Sequence, residues 1–127
     1  MKFKNRTAIV TSAGSGIGQA VAEHFGRNGA NVVINYYSED QKSSVEESIN
    51  NIEKSGGKAI AIQADVSKID QLKAMFNAAE DTFGGIDILV NSAVMPVLKP
   101  IAEVTEAEFD AMFNVNVKSI LFAQQLC

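Results

Sequence analysis

The chain has one cysteine, Cys127, so no disulfide can form within it. That usage fits a reducing compartment, and a cytoplasmic location is expected. There is one histidine, His24, on the polar side of a helical pattern, and no His/Cys group with ligand spacing, so no metal site is expected. No apolar run approaches the roughly 20 residues that cross a bilayer, which argues against a membrane partner. Basic residues are few and scattered: 11 Lys and Arg stand against 15 Asp and Glu, for a net charge of -4. Only Lys2, Lys4 and Arg6 lie close together. That balance argues against a nucleic-acid partner. The apolar stretch after those three is too short for a signal peptide and leads into glycines. No Gly-Lys-Ser/Thr follows those glycines, which removes a P-loop phosphotransferase.

What is present is a core. With 127 residues, 46% of them apolar, the chain suffices for one domain. Apolar runs and helical segments alternate throughout. Thr7–Thr11 predicts a first strand. The segment Thr11-Ser12-Ala13-Gly14-Ser15-Gly16-Ile17-Gly18 joins it to a helix over 16–28, with Ile17, Ala20, Val21 and Phe25 on one face and Gly29 as C-cap. Asn31–Asn35 predicts the second strand. Ser38-Glu39-Asp40-Gln41 has capping-box form and opens a helix to about Lys54, stopped by Gly56-Gly57. Lys58–Gln63 predicts the third strand. Ser67 is expected to cap a helix carrying Ile69, Leu72, Met75, Phe76 and Ala79, ended by Gly84-Gly85. Ile86–Val90 predicts the fourth strand. A loop with Pro96 and Pro100 precedes a capping box, Thr105 to Glu108, and a final helix. Strands apolar on both faces belong in a parallel sheet covered by helices on two sides. The expectation is an α/β fold, a Rossmann-type doubly wound parallel sheet of about four strands in order 3-2-1-4. The residues Gln124–Cys127 offer no Gly, Pro or basic stop signal, so the chain is expected to end inside a helix.

The glycine segment is a phosphate cradle in form. Free N–H groups at a helix start, the helix dipole and missing side chains admit a pyrophosphate. Its sequence, T-S-A-G-S-G-I-G, resembles the T-G-x-x-x-G-x-G of the short-chain dehydrogenase/reductase family, with Ser12 in place of a glycine. Asp65-Val66 after the third strand matches a second family motif. Asn91-Ser92-Ala93-Val94 resembles N-N-A-G after the fourth, and Asn116 matches the family's helix asparagine. The resemblance covers all 127 residues in order, and within the family the chain looks most like glucose-dehydrogenase or acyl-carrier-protein-reductase-like members.

The resemblance implies a domain over 1–127 that binds a nicotinamide dinucleotide and lacks the C-terminal catalytic part. Thr11, Ser12, Gly14, Ser15, Gly16, Ile17 and Gly18 would hold the diphosphate turn. If the family glycine at position 12 has positive φ, the serine costs about 1–2 kcal/mol. Asp65 would accept from the adenine amino group and Val66 would pack on the ring. Asn91, Ser92 and Ala93 would line the cofactor, with Asn91 also placed to tie strand ends, and Val94 would crowd the nicotinamide ribose. Asn35 and Ser38 fall where NAD and NADP are distinguished. Ser38 is placed to donate to a 2′-phosphate or to cap the helix, and no Arg or Lys stands ready nearby. The absence of an acid in Asn35–Ser38 favours NADP(H) over NAD(H). The implied reaction is hydride transfer between the nicotinamide and a carbonyl or alcohol carbon. Of the implied catalytic residues the chain holds only Asn116. It lacks the serine and the Tyr-x-x-x-Lys, so it is expected to be inactive alone, with a small-molecule substrate only in a full-length protein. Family members are homo-oligomers, and an exposed fourth strand predicts self-association. The alternatives are a non-catalytic nucleotide-binding or interaction module, or an inactive gene remnant.

Overall fold

The computed structural model describes residues 1–127. Its strands are β1 (Thr7–Val10), β2 (Asn31–Tyr36), β3 (Lys58–Gln63) and β4 (Ile88–Val90). They form one parallel sheet in the order β3-β2-β1-β4, as expected. The connecting helices are α1 (Gly16–Arg27), α2 (Lys42–Lys54) and α3 (Ile69–Phe83). After β4 come α4 (Glu106–Phe113), a π-helical turn over Asn114–Lys118, and α5 (Ser119–Leu126).

The period-two alternation of β2 builds both halves of the core. Val32, Ile34 and Tyr36 pack with Val45 and Ile52 of α2 and Ala22 of α1. Val33, from the other face, joins Ile9 in packing against Leu72, Met75, Phe76 and Ala79 of α3 and Ala123 of α5. Burying each such aliphatic side chain is worth about 1.5–3 kcal/mol. β1 and β2 are the inner strands, and every side chain of β1 is buried. β3 and β4 are the edges, and only half-buried residues lie along their middles.

Three local expectations need correction. The buried stripe of α1 is Gly18, Ala22 and Gly26, whereas Ile17 is 81% exposed. The small residues face inward because α2 approaches closely: a methyl on Gly26 would stand 2.5 Å from the Ile52 side chain. β4 begins at Ile88 rather than Ile86. Asp87 already engages β1 there, its N–H donating to the Thr7 carbonyl and its carboxylate accepting from the Thr7 N–H at 2.8 Å. Ser67 does not cap α3, whose N-cap is Lys68 with no side-chain bond. The Ser67 N–H and hydroxyl both donate to Asp65 Oδ1, at 3.0 and 2.6 Å, because a carboxylate two residues back is the stronger and nearer acceptor. The Thr105 capping box forms as expected, its hydroxyl accepting from the Glu108 N–H at 3.2 Å.

Candidate dinucleotide site

The site lies beyond the C-terminal ends of β1, β2 and β4, where the strand order reverses between β1 and β4. β1 runs into a turn held from three sides. The Ala13 N–H donates to the Asn35 carbonyl at 2.7 Å. The Ser12 N–H donates to Asn35 Oδ1 at 3.0 Å. The Ser44 hydroxyl of α2 donates to the Gly14 carbonyl at 2.6 Å. After that, the N–H groups of Gly14, Ser15, Gly16, Ile17 and Gly18 donate to no acceptor in the protein. Five free donors in a row at a helix start form an anion cradle. No acidic side chain stands in the first turn of α1 to offset its dipole.

The glycines at 16 and 18 serve different needs. Gly16 has φ +58 and open space where a side chain would stand, so it shapes the turn and leaves the approach clear. Gly18 lets α1 sit on the turn, because a methyl there would overlap the Ser12 carbonyl. Ser12 itself has φ 50, a left-handed conformation that strains an L-residue. Its hydroxyl has no hydrogen-bond partner in the protein.

Asn35 is 2% exposed, and its carboxamide is committed to the backbone. Nδ2 donates to the Ile62 carbonyl at 3.3 Å and the Ala64 carbonyl at 3.2 Å, while Oδ1 holds the Ser12 N–H. Expected among the cofactor contacts, it clamps the end of β3 to the glycine turn and also borders the cavity that opens there. The Asn91 amide, expected also to tie strand ends, forms no such hydrogen bond; the N–H groups just beyond it bond to Thr11. Thr11 does that work, its hydroxyl accepting from the N–H groups of Ser92 and Ala93 at 3.0 and 3.2 Å and facing the Val90 carbonyl.

A cavity of about 630 Å³ opens beside the turn, lined by Ser12, Asn35, Ser38, Asp65, Val66 and Ala93 among the expected residues. Val94, 70% exposed, also lines it. Asp65 keeps Oδ2 free, since only Oδ1 bonds to Ser67. Gly14, Ser15, Gly16 and Ile17 belong to the cradle rather than to this cavity. Asn116, in the π-helical turn, pairs both ends of its amide with Met95: Nδ2 donates to the carbonyl at 3.0 Å and Oδ1 accepts from the N–H at 2.8 Å. It thereby holds the segment after β4 beside the cavity.

Sequence reasoning missed two contributors. Lys68, beyond β3, also lines the cavity, although no basic residue was expected near the end of β2. Gln41, seen only as half of a capping box, also lines it. Its Oε1 accepts from the N–H groups of Tyr37 and Ser38 at 3.1 and 3.4 Å, and its Nε2 reaches the Ser15 hydroxyl at 3.4 Å. The Ser-x-x-Gln spacing could have marked Gln41, but nothing local placed it across the turn.

Away from the cavity, two carboxyls are held below their usual range. For Asp87 the cause is first the Thr7 N–H and then the Arg6 side chain. For Glu108 it is first Lys99, whose Nζ lies 2.8 Å away, and then Thr105. The second set anchors the proline-containing loop to α4.

A doubly wound parallel sheet with a glycine cradle at its switch point defines a dinucleotide-type α/β domain. Comparison with known proteins narrows this. The sequence model of the short chain dehydrogenase family matches residues 6–127, and the chain belongs to that family. A hydroxynaphthalene reductase-like protein Arp2 of Metarhizium acridum is 38% identical over 120 residues, covering 94% of this chain and 44% of that protein. The 3beta-hydroxysteroid dehydrogenase 1 of Eggerthella lenta is 40% identical over 118 residues, covering 93% and 44%. A short chain dehydrogenase from Burkholderia cenocepacia, solved in complex with NADP, superposes with a TM-score of 0.93 at 32% identity, covering 99% of this chain and 51% of that one. The chain thus spans about half the length of the relatives it matches.

Proposed function

We propose that this chain is the cofactor-binding portion of an NAD(P)(H)-dependent short-chain oxidoreductase, and that its cofactor is NADP(H). The observation that carries the reading is the row of five free N–H donors at the start of α1, opening beside a cavity that holds one free carboxylate oxygen. A pyrophosphate fits the first feature by charge and by the space left at Gly16. Asp65 Oδ2 suits an adenine amino donor, and Val66 offers an apolar wall. When bound, the cofactor supplies the hydride acceptor or donor. The preference for NADP(H) rests on the absence of an acid at the end of β2, on Lys68 in the same cavity, and on the NADP complex of the Burkholderia relative.

Of the catalytic residues that the resemblance implies, the chain carries Asn116 alone, and the amide of Asn116 is already bonded to Met95. The 127-residue chain is therefore proposed to bind cofactor without reducing a ketone. Titration of the chain into NADPH, followed by nicotinamide fluorescence with turnover of a ketone panel read in parallel, tests both parts. Saturable binding without turnover is expected. Absence of binding overturns the cofactor assignment, and ketone-dependent NADPH oxidation overturns the inactivity.

A further inference from the structure

We infer that Gln41 is the residue through which this site discriminates at the adenosine 2′ position, an assignment that rests on the cofactor reading above. In a doubly wound fold the pyrophosphate sits at the start of α1, and the adenosine ribose lies between that turn and the end of β2. Gln41 spans this gap. It sits in the 3-10 turn Glu39–Gln41 that leads into α2, yet its carboxamide reaches the glycine turn.

The two ends of that amide are used unequally. Oε1 faces the protein and takes two backbone donors, Tyr37 N–H and Ser38 N–H. Nε2 faces the glycine turn, and its one contact is the Ser15 hydroxyl at 3.4 Å, long enough to give way to a better acceptor. The site therefore presents a neutral N–H₂ donor to the gap. Such a group tolerates a 2′-phosphate and bonds to it. A carboxylate in the same place would repel the phosphate and accept from a 2′-hydroxyl.

Two neighbours fix this placement. Gly14 makes room, since a methyl on it would stand 2.9 Å from Gln41 Cδ. Asp40, the nearest acid along the chain, bonds to the Ser38 hydroxyl and is exposed, so it does not take the position that Gln41 holds.

Gln41→Glu keeps the oxygen that caps the turn and changes only the outward end. Binding of NADPH and NADH to wild type and variant is measured by nicotinamide fluorescence, with far-UV circular dichroism to confirm folding. The affinity ratio of NADPH to NADH is expected to fall at least fivefold. Gln41→Leu removes the donor without adding charge, and is expected to weaken NADPH at least threefold more than NADH. If wild type binds and both ratios stay within those limits, the Gln41 assignment fails while the cofactor reading stands. If wild type binds neither cofactor, both fail together.

Discussion

Ser12 is the one place where the glycine turn holds a non-glycine residue in the left-handed region. At φ 50 an L-residue carries a steric cost of about 1–2 kcal/mol. The serine hydroxyl offsets none of it, because it bonds to nothing in the protein. Replacement by glycine removes the strain but enlarges the freedom of the unfolded chain, which costs about 0.4–1 kcal/mol. The midpoints leave a net stabilisation of about 0.8 kcal/mol. With an unfolding entropy of about 2.1 cal/mol/K per residue, that is a rise of roughly 3 °C in melting temperature for a chain of this length. Ser12→Ala is the control, since alanine keeps the strain. Thermal melts followed by circular dichroism should rank Ser12→Gly above wild type, and Ser12→Ala level with it. A glycine variant that melts with or below the alanine variant would refute the assignment of strain to this position. Ser12 also lines the cavity, so the glycine variant should bind NADPH at least as tightly as wild type.

Two further outcomes are expected. Asn35→Leu leaves the Ser12 N–H and the carbonyls of Ile62 and Ala64 without their partner, a loss of about 2–4 kcal/mol, or roughly 10 °C; a fall under about 3 °C in the same melts would show that the clamp contributes little. Asp87 and Glu108 have pKa values lowered by folding, so their stabilisation is present above the unfolded carboxylate range and is lost as pH falls through their lower folded values. Asp87→Asn should shrink the drop in melting temperature between about pH 5 and pH 2, and an undiminished drop would remove Asp87 as a contributor.

The sheet was legible because its causes are local. Each strand is a short apolar run, each helix has a periodic face, and parallel pairing with right-handed crossovers leaves few orders to choose among. Two of the errors fall where a side chain answers to a distant backbone group, and two where a near neighbour or close packing decides. Asn35 follows four strand residues and looks like a strand end facing the ligand, but its acceptors at Ile62 and Ala64 are 27 and 29 residues away. Asp87 shortens β4 through Thr7, 80 residues back. Ser67 looks like a cap until Asp65 is seen to take both its donors. Ile17 fits the apolar spacing of α1, but Gly18 and Gly26 decide which face goes inward, because only small residues let the turn and α2 come so close.

These long-range bonds also explain why the cradle holds its shape with its own donors free. A turn that bonded its N–H groups internally would be stable and useless to an anion. Here Ser12 and Ala13 fasten to Asn35, Gly14 fastens through its carbonyl to Ser44, and Thr11 fastens to the segment after β4. The supports use the residues before the cradle and one carbonyl within it, so the N–H groups from Gly14 to Gly18 are left unspent. Donors fixed in place before binding need no reorganisation when the anion arrives. The cost of that arrangement is a carboxamide buried under the turn and a strained residue at its first bend, and in this chain those are Asn35 and Ser12.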